Sequence, residues 1–210
     1  VENEKKLKIL AAAGIMTDEV EKEFSKIKTL YVDFKSNQLV EVTENYDHIK
    51  ASSNVAQSSL VPKEQDIAIL KRRENVAPIY VWYSEQNQIQ KIVLPIRGYG
   101  LWGTLYGYLS LDADLNTVKG IEYYDHKETP GLGGEVDNPV WKSDWNGKKV
   151  YDSSGNVILY VTKGPSTEEY EIDGISGATL TSNGVSNMIK YWLGENGYGP
   201  VLEMLRGDKA

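Results

Sequence analysis

Apolar and polar residues follow two different periods along this chain, and the changes of period mark its elements. Over residues 101–111 the alternation is almost unbroken. Leu101, Gly103, Leu105, Gly107, Leu109 and Leu111 face one way, and Trp102, Thr104, Tyr106, Tyr108 and Ser110 the other, as in a β-strand. Shorter runs at 77–84 and 91–97, joined by the polar turn Glu85-Gln86-Asn87-Gln88, read as two more strands. Residues 117–124 and 157–162 add two others, and Leu30, Val32 and Phe34 alternate in the same manner. Helical spacing lies towards the ends. Residues 4–13 put Leu7, Leu10 and Ala11 on one face and stop at Gly14. Thr17 is placed to cap a second helix, with Asp18 and Glu19 in its first turn and Val20, Phe24 and Ile27 on its inner face. Val185, Met188, Ile189, Trp192 and Leu193 recur at helical intervals over 182–193, and a short helix over 200–206 opens at Pro200. From 36 to 71 the pattern weakens, predicting loops with short elements. The fold class is therefore α+β: a mainly antiparallel β-sheet core with N-terminal and C-terminal helices packed around it.

Composition narrows the function classes. The chain has 210 residues, enough for one sizeable core, with 40% hydrophobic and 25% charged residues. Acidic residues outnumber basic ones 30 to 23, and no basic stripe extends beyond Lys71-Arg72-Arg73, which argues against nucleic acid. Without cysteine, disulfides, iron–sulfur clusters and thiolate zinc sites are excluded. Fourteen tyrosines against two phenylalanines fit strands with one wet face or a site for a planar ligand. The longest apolar stretch, 9–16, falls short of the roughly 20 residues that cross a bilayer. Because the chain opens at Val1 and runs straight into a helical segment, the expectation is a truncated or processed chain whose N-terminal membrane anchor is missing.

Several signals mislead. Gly98-Tyr99-Gly100-Leu101-Trp102-Gly103 matches G-x-G-x-x-G, but the following residues have a strand period, so a Rossmann site is rejected. Gly103 and Gly107 then permit close sheet packing or bulges, or leave room for something flat with Trp102 as a wall. His126, near Asp125 and Glu128, reads as a satisfied histidine more readily than as a metal ligand, and no metal site is expected. No serine sits in a nucleophile elbow, and no catalytic acid or base is expected.

Two segments carry more. His126-Lys127-Glu128-Thr129-Pro130-Gly131-Leu132-Gly133-Gly134 is either a plain Pro-Gly turn or a backbone-lined pocket edge. Asp173-Gly174-Ile175-Ser176-Gly177-Ala178-Thr179-Leu180-Thr181-Ser182 places hydroxyls among tiny residues just before a helix. Those hydroxyls are either N-caps or line a phosphate position, where unpaired N–H groups and the helix dipole favour an anion.

The second segment resembles the flavinylation motif D-x-x-(S/T)-G-A-T, in which a dedicated flavin transferase esterifies FMN through its phosphate to the last Thr, here Thr179. Together with Gly100-Leu101-Trp102-Gly103 and the stretch Glu128 to Gly133, it resembles the FMN-binding domain family shared by a subunit of the Na+-translocating NADH:quinone reductase and its counterpart in the Rnf complex. The N-terminal run from Lys6 to Gly14 resembles the sodium-pump member of the family, which is preferred. The resemblance implies covalent FMN on Thr179, with Ser176, Gly177, Ala178, Leu180 and Thr181 around the phosphate. Glu128, Thr129, Leu132 and Gly133 would border the flavin ring, Trp102 would pack near it, and Asp173 would serve recognition by the transferase. It further implies N-terminal helices (1–28) after a removed anchor, then an FMN-binding domain (29–210). The expected role is electron carriage beside other subunits of a reductase at the bacterial inner membrane, on the periplasmic side. The domain alone is not expected to oxidise NADH. The alternatives are the Rnf counterpart and a non-redox extracytoplasmic module binding a planar or sugar ligand.

Overall fold

The computed structural model describes residues 2–207. In chain order the elements are α1 (Glu2–Ala12), α2 (Val20–Phe24), β1 (Lys28–Asp33), β2 (Gln38–Val40), α3 (His48–Ser52), β3 (Ser58–Leu60), β4 (Arg72–Glu74) and β5 (Val76–Tyr83). There follow β6 (Ile89–Tyr99), β7 (Thr104–Asp112), β8 (Val118–Asp125), a short 3₁₀ helix (Gly133–Asp137), α4 (Pro139–Ser143), β9 (Tyr160–Val161), β10 (Glu171–Ile172), α5 (Thr179–Trp192) and α6 (Gly199–Gly207). Six strands form one sheet in the order β2-β1-β5-β6-β7-β8, every neighbour antiparallel. The predicted α+β architecture holds, with β10 and its parallel pairing to β9 as an addition that alternation did not reveal.

Side-chain alternation divides the sheet between two cores. Ile79, Val81, Ile92, Leu94, Leu105, Leu109 and Ile121 face the larger one, where Val185, Met188, Ile189 and Trp192 of α5 and its C-cap Leu193 meet them. Each of those five residues is at most 1% exposed, as their spacing requires. Trp82, Val93 and Tyr108 face the opposite core, which α1 and α2 cover. Val20, Phe24 and Ile27 pack there as expected, although Thr17 stands outside the helix and its Oγ1 accepts from Glu19 N at 2.9 Å.

Three expectations need correction. The buried face of α1 is Ile9, Leu10 and Ala12, whereas Leu7 is 41% exposed and Ala11 only half-buried. The carbonyl of Ala12 lies against Gly120, where a Cβ would come within 2.5 Å of it; this approach sets the helix's rotation. Secondly, β7 begins at Thr104, so 101–103 is a hairpin turn closed by Gly100 N donating to Gly103 O at 2.8 Å. Gly107 does mark a bulge, between Tyr106 and Gly107. Thirdly, the strand expected at 157–162 shrinks to β9, because only Tyr160 and Val161 find ladder partners beyond a lone bridge from Val157 to Tyr151. Among the described residues no helix is long and apolar enough to cross a membrane.

Candidate functional site

Helix α5 starts at Thr179, earlier than its apolar face predicts, because Thr179 and Leu180 in its first turn are exposed and stand off that face. The cap position is Ala178, and no side chain caps the turn. Neither Ser176 nor Thr179 is therefore an N-cap, which removes one of the two readings of these hydroxyls. Gly177, at φ +71°, supplies the left-handed backbone that turns the chain into the helix. Ala178 N donates back to Ile175 O at 3.1 Å, leaving Ser176, Gly177 and Thr179 exposed around the uncapped turn. Helix-start N–H groups and the dipole make this an anion-favouring position.

Beside Thr179 lies a cleft of about 350 Å³ lined by Thr162, Lys163, Gly164, Gly174, Ser176, Gly177, Ser182 and Asn183. Ser182 is 6% exposed, and its Oγ has no hydrogen-bond partner among the described residues. A buried hydroxyl without a partner marks a place where a polar ligand atom fits. The sequence pattern missed Asn183 and the 162–164 loop, and it placed Ser182 in the hydroxyl-rich segment without singling it out as a phosphate neighbour. That loop arrives through the parallel pairing of β9 with β10, and Gly174 N donates to Gly164 O at 2.8 Å. The Asp173 carboxylate accepts from Ser166 N at 2.6 Å, so the residue expected to serve a transferase also holds the loop in place.

On the other side of α5's first turn, Glu128 joins three segments. It is 5% exposed and accepts from Leu101 N (2.8 Å), Trp102 N (3.0 Å) and the Thr181 hydroxyl (2.6 Å). Burial pushes its carboxyl up, but the Leu101 N–H, the Thr181 hydroxyl and the Trp102 N–H outweigh that and hold it below the usual carboxylate range. Gly133 packs flush against Thr181 Oγ1, leaving no room for a Cβ. His126 Nδ1 accepts from Glu128 N at 3.1 Å, so its proton sits on Nε2, which is 2.6 Å from Asp137 Oδ2. His126 is thus satisfied within the fold.

Around this buried lock the apolar residues point outward: Trp102 is 61% exposed, Leu180 58%, Leu132 44% and Leu101 39%. Leu132 reaches across to the α5 turn, its Cδ2 being 3.0 Å from where a Cβ on Gly177 would stand. Thr129 is exposed, and its carbonyl folds the loop by accepting from Leu132 N and Gly134 N at 3.0 and 2.9 Å. The structure therefore gathers all three sequence segments into one place and sorts their residues. Ser176, Gly177, Thr179, Leu180, Thr129, Leu132 and Trp102 form an open rim, whereas Ala178, Thr181, Glu128 and Gly133 are buried supports. An anionic end and a flat apolar body suit such a donor set.

This fold and rim define a domain class: the family model described as "FMN-binding domain" matches residues 100–194. Over nearly its whole length the chain resembles particular proteins of that class. It is 42% identical to the NqrC subunit of the Na(+)-translocating NADH-quinone reductase of Yersinia pestis over 212 residues, covering 97% of this chain and 80% of that one. The corresponding subunit of Vibrio anguillarum is also 42% identical, over 97% of this chain and 81% of its own. The crystal structure of Shewanella oneidensis NqrC matches with a TM-score of 0.89 at 31% identity, over 98% of this chain and 99% of that one. The chain belongs to the NqrC family of Na(+)-translocating NADH-quinone reductase subunits.

Proposed function

We propose that this chain is an electron-carrying subunit of a membrane Na+-translocating NADH:quinone reductase and holds FMN through a phosphoester to Thr179. The observation that carries this reading is the exposed Thr179 hydroxyl in an uncapped helix turn, beside the unpartnered Ser182 Oγ. FMN, when bound, supplies the redox chemistry. The residues of the chain bind and orient it. First-turn N–H groups of α5, with Ser182 and Lys163, would neutralise and hydrogen-bond the phosphate; Trp102, Leu132 and Leu180 would offer apolar contact to the ring. Nothing in the site is asked to donate or take up a proton.

Attachment exchanges one substituent on the phosphorus for Thr179 Oγ1, whose proton leaves with the displaced group, and a flavin transferase would catalyse it. The NqrC relatives support assignment to the sodium pump over the Rnf complex. Other subunits of that complex would be the partners, with the domain held on the periplasmic face by a preceding membrane helix. The isolated domain would not oxidise NADH. The test is denaturing electrophoresis of the chain matured in a host that has the transferase. In-gel flavin fluorescence should follow the wild-type polypeptide and vanish in Thr179→Ala; a fluorescent Thr179→Ala band overturns the assignment.

A further inference from the structure

We propose that Glu128 is a positioning residue whose carboxylate couples the Trp102 turn to the first turn of α5, acting through hydrogen bonds rather than by touching the cofactor. The inference rests on the reading that Thr179 carries FMN, and it gives a different role to a residue expected at the ring's border. Two oxygens serve three donors: Oε1 takes Leu101 N and Thr181 Oγ1, and Oε2 takes Trp102 N. With 5% exposure, little of the carboxylate is left to face a ligand.

The surroundings leave it one position. A Cβ on Gly100 would collide with Oε1, and Gly133 closes the other side by packing on Thr181 Oγ1 and standing 3.0 Å from Glu128 Cβ at its own Cβ position. The main chain of Glu128 is pinned separately, its N–H donating to His126 Nδ1 while His126 Nε2 meets Asp137. The wall that carries exposed Trp102 and the helix turn that carries exposed Thr179 are thereby tied to one buried anion. Among the described residues neither element has another side-chain tie of this kind: Trp102 reaches Glu128 through its own N–H, and Thr181 through its hydroxyl. Charge-assisted hydrogen bonds of this sort are stronger than neutral ones and fix geometry.

Glutamine cannot replace it. An amide has one acceptor oxygen, so an oxygen kept on Leu101 N and Thr181 turns its NH2 towards the Trp102 N–H, donor against donor. The experiment follows the backbone amides of Leu101 and Trp102 by NMR in the flavin-free chain, then compares flavin spectra after maturation. In the wild type both amides should shift with one common acid midpoint, below the usual glutamate value of about 4.3. The other titratable groups nearby are His126, Asp137 and Lys127. His126→Gln and Asp137→Asn controls should leave that midpoint in the acid range. In Glu128→Gln the titration should disappear, and hydrogen exchange at Trp102 N–H should speed up roughly 10- to 100-fold, while β6 and β7 amides keep their protection. The matured variant should show an altered visible circular dichroism of its flavin, and Thr181→Val a smaller change of the same sign. Amides that ignore the acid titration overturn the clamp. An unchanged flavin spectrum in Glu128→Gln overturns the coupling. Loss of flavin mass from the wild type itself overturns the underlying reading while leaving the amide result to judge the clamp alone.

Discussion

Helix α5 ends at one side in a sealed aromatic corner and at the other in an open polar turn. At its C-terminal end Trp192 Nε1 donates to Arg97 O at 2.7 Å, Tyr151 OH to Leu193 O at 2.6 Å and Tyr198 N to Trp192 O at 2.6 Å. Phe34, Trp192 and Tyr198 stack around them with ring centroids 5.5–5.9 Å apart, and Arg73 donates to Asn196 O. At the N-terminal end no side chain caps the turn, Thr179 and Leu180 are exposed, and Ser182 Oγ lacks a partner. The far end keeps one unmet group, the buried Arg73 Nε, whereas the unmet hydroxyl at the open end lines a cleft. An unpartnered polar group that faces a cleft from a well-anchored helix points to a ligand.

Substitutions at the two ends should separate stability from cofactor loading. Trp192→Ala should have the largest effect, about 3–5 kcal/mol in urea unfolding, because a 1%-exposed ring and its hydrogen bond are both lost. A cost below about 1 kcal/mol would mean the aromatic corner is not the anchor supposed here.

Next comes Glu74, fully buried at 0% exposure against Arg97 (2.8 and 2.9 Å) and His48 (2.9 Å). Glu74→Gln leaves the Arg97 guanidinium without its counter-charge and should cost roughly 3 kcal/mol. Burial alone would raise the Glu74 carboxyl, but the Arg97 charge and the His48 and Arg97 hydrogen bonds lower it below the unfolded value. A depressed folded-state pKa stabilises above the unfolded one and loses that contribution as pH falls towards the folded one. Wild-type Tm should therefore drop below about pH 4, while the Gln variant falls less steeply there. Parallel acid profiles would contradict this.

At the open end the effects on stability shrink. Ser182→Ala removes an unsatisfied buried hydroxyl, so urea stability should stay level or rise by up to about 1 kcal/mol. Flavin incorporation should slow, and a marked loss of stability instead would mean that the hydroxyl has a partner in the folded chain. Thr179→Ala should change unfolding free energy by no more than about 0.5 kcal/mol, the range for exposed positions.

The same contrast explains what the sequence made legible. The buried face of α5 and the strands β5 to β8 were readable because sustained periodicity reports directly on which side meets a core. Leu7 was misassigned because two faces of α1 are nearly equally apolar and the choice is made by Gly120, far along the chain. The strand expected from 101 was really a turn at its start, since Glu128, 27 residues beyond Leu101, draws off its N–H. The motif from Asp173 to Thr181 located the open turn, but Asn183 and the 162–164 loop were hidden, and nothing in the pattern set Ser182 apart from its neighbouring hydroxyls. Their meeting depends on a two-residue parallel pair, of which only β9 lay in a run readable as a strand, while β10 carries no pattern of its own.

The central claim concerns one oxygen, and peptide mapping tests it most directly. The chain, matured beside the transferase, is digested under denaturing conditions, and the flavin-bearing peptide is fragmented by tandem mass spectrometry. The account predicts one FMN phosphoryl group on a single peptide, with the fragment ions placing it on Thr179. The added mass on Ser176, Thr181 or Ser182, or flavin that washes away entirely, contradicts it.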